Sequence, residues 1–511
     1  MIVEIAEAIS LYRSLDTLTS NMSQEPKKMD RRNFIYAGLG AAIVIVGGAA
    51  VYFATKPAET VTSISTSTTT ATTATTVSTT VPTTTSVVST TTVPTTSVVT
   101  TTSTLTPTEV TLRVFHTWVE TRPIYKPYMN QVDQYNKMTP GVTVNSQFLD
   151  WTNFVPIVTA MIKAGVPPDS VTPADREISK LASVGYFLPL DDRIPKELMN
   201  EIPQSFWDAT KYEGKIYGVP TSYSSIGGIY YNQEMFAKEG IEPSTLENPW
   251  SWDEFIEICK KLTKPDEGIY AYGARAAATG YFIPRHFSWF FFMEGVDTLV
   301  QTNGVWKSGA SLPGFKRALE KIYDLVHTYK VMPKEVVGWQ SADDQRAEFC
   351  AKKKVAMVHC EGWFRGQLTS FHPDFKWGFC YSPQLGNSMQ KNSMMMECGT
   401  FAIFKESMHP DETMRWILYM SDYENVAGRF VPEGYIPPFS RWKDDPRCDD
   451  FQRKHVTAFP YCRPIFAPHP KAFDVNSKVF EPGIQELILG KITPDALAQK
   501  MDEQITKILG S

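Results

Sequence analysis

The chain has 511 residues, too many for one ordinary core, so two or more domains are expected. With 42% hydrophobic and 21% charged residues it reads as globular. A formal net charge of -5 leaves no basic footprint, which argues against nucleic acid as a partner.

Residues 1–33 read as a short cytoplasmic tail or as a misassigned start, with Met22 and Met29 as alternative first residues. Lys27, Lys28, Arg31 and Arg32 then precede the uncharged apolar run 34–54. About 20 such residues span a bilayer as a helix, and flanking basic residues put the N-terminus inside. The Arg31-Arg32 pair also resembles a twin-arginine export signal, so a retained span and a cleaved signal peptide both fit. Residues 55–108 are dominated by Thr, Ser, Val and Pro. Such a stretch has too little apolar surface to offset its ordering entropy and reads as a disordered, O-glycosylated stalk.

The globular part begins with a predicted strand over 111–118 that ends on Trp118, a helix over 125–138, a strand over 142–149 and a helix over 154–164. Ala174-Asp175-Arg176 opens a further helical segment. A carboxylate beside a guanidinium suits a polar ligand, and Asp175 equally suits the positive end of a helix. Residues 211–262 carry the densest pattern. A β-rich run at 215–219 is stopped by Pro220, a small polar stretch covers 221–225, and a second β-rich run covers 226–231. A helix closed by Gly240 follows, and then a second helix capped by Ser251 with Glu254 three residues on. The aromatic segment 280–296 starts with Tyr281 and Phe282 and continues through Phe287, Trp289, Phe290, Phe291 and Phe292, which read as core. Helices are also expected over 312–330, 410–421, 473–489 and 494–509.

Seven cysteines contain no CxxC pair, so a zinc site is a poor fit and no metal or other cofactor is expected. Cys448 and Cys462 bracket a Pro- and charge-rich stretch that reads as loop, which makes them the favoured disulfide in an exported chain.

The order of strand, Pro220, small polar residues, Tyr231-Asn232 and Ser251-Trp252-Asp253-Glu254-Phe255 resembles the first interlobe crossing of the extracellular solute-binding proteins of ABC importers. The resemblance is to their sugar-binding group, and more weakly it extends over 109–511. Val355-Ala356-Met357-Val358 leading to Glu361-Gly362-Trp363 resembles a family strand that ends beside a cleft tryptophan. Residues 397–404 and 434–438 resemble the second and third crossings.

The resemblance implies an α/β fold of two lobes with an interlobe hinge. The lobes are residues 109–220 plus 398–433, and 221–397 plus 434–511. It implies capture of a sugar or oligosaccharide in the interlobe cleft and delivery to a membrane permease, without catalysis. Trp118, Tyr281, Phe282 and Trp363 would stack on the solute, while Asp175, Arg176, Tyr223, Ser224 and Glu361 would hydrogen-bond to it. The whole would sit on the cell surface, anchored by residues 34–54. No nucleotide-binding loop is present, so the ATPase would be another chain. A cell-surface glycoside hydrolase is the alternative, because carboxylates are plentiful, and a peptide or other polar solute also fits.

Overall fold

The computed structural model describes residues 109–117, 120, 124–149, 154–278, 282–430 and 435–510, all within the unit Thr101–Ser511. The apolar run 34–54, the stalk 55–108, Trp118 and Tyr281 lie outside the described residues. The strands, in chain order, are β1 Val110–His116, β2 Val142–Phe148, β3 Ser170–Thr172, β4 Lys211–Tyr212, β5 Lys215–Ile216, β6 Val219–Asn232, β7 Tyr270–Gly273, β8 Leu299–Thr302, β9 Val305–Ser308, β10 Val355–Glu361, β11 Trp377–Cys380, β12 Met394–Ile403 and β13 Cys462–Pro464. Most of them join one mixed sheet in the order β2-β1-β3-β12-β6-β10-β7, with β11 also on β6 and β13 on β12.

Two long strands carry this sheet from one wing to the other. β12 pairs antiparallel with β3 at its C-terminal end and with β6 over Met396–Phe401. β6 pairs with β12 over its first part, then with β10 and β11 from Gly227 onward. One wing is therefore β2, β1 and β3, and the other is β10, β11 and β7. The strands of the first wing are parallel, with β1 matched residue for residue to β2 from Val110↔Val142 to His116↔Phe148. Parallel strands require crossover helices, here Tyr125–Met138 and Phe154–Lys163. Val158, Phe154 and Phe115 pack with Ile178 and Phe404 into a small core on this wing.

The sequence expects a break at 220–225, and the structure corrects this: β6 runs unbroken through Pro220. The reason lies in the partner strand. The register between β6 and β12 shifts between Gly399 and Phe401, and Pro220 falls in that irregular step. A bulge is one of the few places in a sheet where a residue without N–H fits. The amide of Thr400, freed from β6 at the bulge, donates instead to Pro173 O at 2.8 Å.

The helices after β6 form as read. Asn232 Oδ1 accepts from the amides of Glu234 and Met235, and Gly240 closes that helix in the left-handed region at φ 63°. The Ser251–Glu254 capping box starts the helix Trp252–Leu262. Phe287, Trp289, Phe290, Phe291 and Phe292 are buried in the main core, in the helix Phe282–Met293. The helix expected over 473–489 is interrupted: Ala472–Val475 leads through a π-turn, Asn476–Phe480, into Glu481–Ile488. Pro482 explains the interruption, since it lacks the N–H that an uninterrupted α-helix would need there.

The disulfide expectation is also corrected. All seven cysteines are free and buried. The stretch between Cys448 and Cys462 is not loop. It contains the helix Asp450–Ala458, capped by Asp449. Nine helical residues extend about 13 Å, which holds the two thiols at opposite ends and beyond the ~7 Å Cα separation a disulfide tolerates. Their sulfurs lie instead against different backbone carbonyls, Cys448 Sγ 3.7 Å from Asp449 O and Cys462 Sγ 3.2 Å from Ala458 O.

Candidate functional site

The sheet wings meet where β6 changes partner. Ser225 of β6 faces Glu397 of β12, and Gly227 faces Glu361 of β10. Directly paired residues point to the same face of a sheet, and residues two apart on one strand share a face. Glu397 and Glu361 therefore stand on one face, on either side of β6, with only the side-chain-free Gly227 and the small Ser225 between them. His359 and Met395 belong to the same face, and a Cβ on Gly227 would lie 2.7 Å from His359 Cε1.

Arginines converge on these carboxylates. Arg285, in the helix Phe282–Met293, donates from Nη2 to the Glu397 carboxylate, and its Nε lies 3.3 Å from Glu361 Oε1. Arg176, in the first turn of the helix Asp175–Ser183, donates from Nη1 to Glu397 Oε1 at 2.9 Å, and its Nε lies 2.8 Å from Glu177 Oε1. Glu177 also accepts from the amide of Ala174 at 2.9 Å, which fixes the start of that helix. The side chains of Arg176, Glu397 and Glu361 are 2%, 2% and 1% exposed. Charges so deeply buried persist only with partners and hydrogen bonds, and this cluster supplies both.

Burial raises the pKa of Asp175 well above the usual carboxylate range, with the charge of Glu397 adding to it and that of Arg176 opposing it. Burial likewise raises Glu177 and Glu361, opposed by Arg176 and by Arg285 respectively. Asp175 accepts from the amide of Arg176 at 3.0 Å. Behind the cluster, Gln345 Nε2 donates to His359 O at 3.0 Å and His286 Nδ1 lies 2.7 Å from the same oxygen. Burial lowers His286 and brings His359 to about 3, so both are neutral.

The structure thus brings together three of the residues singled out from the sequence, Asp175, Arg176 and Glu361. Ser224 is fully buried, and its hydroxyl donates to the backbone carbonyl of Ile436, tying β6 to the segment that follows 434. Tyr223 lies on β6 opposite Gly399, and Phe282 is the first residue of its helix. Trp363 follows β10 as the N-cap residue of the helix Phe364–Phe371. Its turn is pinned by Gly362 N donating to Ile226 O at 3.2 Å and Tyr230 Oη donating to Glu361 O at 3.0 Å. The indole is partly buried against the core, and its Nε1–H has no acceptor among the described residues. Arg285, Glu397 and Glu177 are absent from the sequence reading. A signal existed for two of them. Arg285 and Glu397 each interrupt an otherwise apolar run, FIPRHFSWFFFM and MMMECGTFAI, where a charge is rare unless it is paired.

Two sheet wings sharing crossing strands, with a polar cluster at the crossing, are the architecture of a two-lobe solute-binding protein. Residues 130–454, more than half of the chain, match the family model described as bacterial extracellular solute-binding protein, and the chain belongs to that family. An uncharacterized ABC transporter extracellular-binding protein of Pyrococcus horikoshii is 22% identical over 417 residues, 78% of this chain and 84% of that one. The solved ABC transporter solute-binding protein of Thermotoga lettingae, bound with alpha-D-tagatose, superposes with a TM-score of 0.64 at 20% identity, covering 78% of this chain and 100% of that one. A maltose-bound protein of T. maritima gives a TM-score of 0.65 at 17% identity, covering 78% and 100%.

Proposed function

We propose that this chain captures a sugar or oligosaccharide between its two lobes and delivers it to the permease of an ABC importer. The observation that carries this reading is the buried cluster of Asp175, Arg176, Arg285, Glu361 and Glu397 at the junction of the two wings. Carboxylates accept and guanidiniums donate; in this structure they are paired with one another, so a polyol would bind by exchanging some of those hydrogen bonds for its own. The sugars named for two of the similar structures, tagatose and maltose, support the same solute class. Asp175, Arg176, Tyr223 and Glu361 would meet hydroxyls, while Trp118, Tyr281, Phe282 and Trp363 would meet C–H faces; the Ser224 hydroxyl instead donates to Ile436 O. The lobes would be residues 109–220 plus 398–433 and 221–397 plus 434–511. Residues 34–54 would anchor the chain to the outer face of the membrane, with 55–108 as a stalk.

The reading is of a binder rather than a hydrolase. A glycosidase needs one carboxyl free to donate a proton and another free to attack or to activate water. Glu361 and Glu397 are instead tied to guanidiniums.

A thermal-shift screen tests the reading. A ligand that binds only the folded state raises the melting temperature by mass action. Maltose, maltotriose, mannobiose, tagatose and a set of short peptides form the library. Stabilisation by one or more sugars is expected. Stabilisation by peptides alone would overturn the solute class, and release of reducing ends from maltotriose would overturn the binder assignment.

A further inference from the structure

We propose that Glu397 is a positioning residue, a shared carboxylate that holds Arg176 and Arg285 in register across the junction of the two wings. The proposal rests on the solute-binding reading for its ligand and on geometry alone for its mechanism.

Three observations carry it. First, both guanidiniums reach one carboxylate: Arg176 from the helix after β3, on the first wing, and Arg285 from the helix packed over β10 and β12. Second, Glu397 lies on the strand common to both wings, two residues along β6 from the Glu361 position, so Arg285 spans both carboxylates across Gly227. Third, the node is dry, with the Glu397 and Arg176 side chains each 2% exposed, so water does not screen the two positive charges from each other.

Two guanidiniums held this close without a carboxylate between them repel. Glu397 removes that repulsion and fixes both side chains by hydrogen bonds of defined direction. Arg176 is one of the proposed solute contacts, and its orientation is then set by a residue that need not touch solute itself. Arg285 transmits the same constraint to Glu361 and hence to the turn that carries Trp363. A solute contact on one wing is thereby coupled to the other through a single carboxylate.

The test uses the full-length chain, maltose as probe, and the variants Glu397→Gln, Glu397→Asp, Arg285→Met and Arg285→Met/Glu397→Gln. Glu397→Gln should lower both melting temperature and maltose affinity, the latter by tenfold or more. In the double variant, the affinity should stay at least tenfold down whatever part of the melting temperature is recovered. Glu397→Asp should recover part of the affinity. Affinity that returns together with stability in the double variant, or that never falls in Glu397→Gln, would overturn the proposal. Hydrogen exchange of the ligand-free protein gives a readout independent of the sugar assignment. In Glu397→Gln, the first turns of Asp175–Ser183 and Phe282–Met293 should lose protection together, with Pro494–Gly510 unchanged. Loss confined to one of the two turns would overturn the coupling. If the wild type ignores maltose, the sugar reading is what suffers, and the exchange result still decides the role of Glu397.

Discussion

Gly228 faces the ring of Phe379, and a Cβ added there would lie 2.6 Å from Phe379 Cε2 and 2.9 Å from the Cys380 carbonyl oxygen. The ring could turn aside, but the carbonyl belongs to β11, which pairs with β6 at Ile229↔Cys380, and it cannot move without breaking that ladder. Gly228→Ala should therefore destabilise the fold by about 1–3 kcal/mol, the usual cost of overpacking a filled interior. Chemical denaturation would measure it. A variant as stable as the wild type would show that β11 can shift outward and that the junction is less tightly packed than its geometry indicates.

The Gly227-Gly228 pair also marks how far the sequence could be read. By propensity two adjacent glycines weaken a strand, whereas here they are what lets the strand continue between crowded neighbours. A strand pattern carries β-propensity, but it does not carry what lies above and below the strand. The same limit explains Pro220, whose tolerance depends on a bulge of β6 against β12, a strand far along the chain. Local signals fared better. The Gly240 stop and the Ser251 cap need only neighbouring residues, and they form as expected. For the site, the Asp175-Arg176 pair and Glu361 were legible from motif. Glu397 was not, because its role comes from pairings that bring the helix after β3, β10 and the Arg285 helix to one point. Nor was the fate of Cys448 and Cys462, since the intervening polar residues fit a capped helix as well as a loop.

The thiols give a second prediction. Burial raises the pKa of all seven thiols, with Cys350 and Cys380 at about 12 and Cys448 at about 11. A thiol reacts through its thiolate and needs access to the reagent, and these have neither. The native protein should resist iodoacetamide over the time in which the denatured protein, without reductant, takes up seven labels, one for each cysteine. Mass spectrometry would count them. Five labels in place of seven would reveal a disulfide after all.

His455 supplies a prediction in pH. Its ring stacks on Phe379 with centroids 4.3 Å apart, and Nδ1 lies 2.7 Å from Phe451 O, so Nδ1 carries the proton of the neutral ring. Burial pulls its pKa down from 6.5 to about 3, opposed by the Phe451 carbonyl; Arg365 and Lys454 lower it further and Asp449 raises it. The unfolded chain then binds a proton that the folded chain refuses throughout the interval between these values. Stability owed to His455 is complete above pH 6.5 and declines as pH falls toward 3, by about 1.4 kcal/mol per unit. His455→Phe removes this titration while keeping an aromatic ring on Phe379. Between pH 7 and pH 5 the wild type should lose roughly 2 kcal/mol relative to the variant, a difference that cancels the acid response of all other groups. Parallel denaturation curves at both pH values would measure it. A constant gap would mean that His455 titrates normally in the folded state.

Trp363 allows the sharpest separation of binding from folding. It follows β10 on a turn held by Ile226 and Tyr230, two residues beyond Glu361 of the Glu361–Arg285 pair, and its ring is only partly buried. An indole so placed can present a face to a sugar, while its Nε1–H is buried and has no acceptor among the described residues. Trp363→Ala should then weaken sugar binding by roughly 2–4 kcal/mol, as a central aromatic anchor does. That is about a 30- to 1000-fold rise in Kd at 1.4 kcal/mol per decade. Stability should fall by less than the ~3–5 kcal/mol expected on emptying a core tryptophan site, because part of the ring already faces outward. Trp363→Phe refines the test. It keeps a stacking face and loses only a buried N–H that has no acceptor among the described residues, so most of the affinity should remain. Calorimetric titration and chemical denaturation of the same preparations read the two quantities side by side. A large loss of stability with affinity intact would make Trp363 a core residue, and the solute would then have to meet the second wing somewhere other than the end of β10.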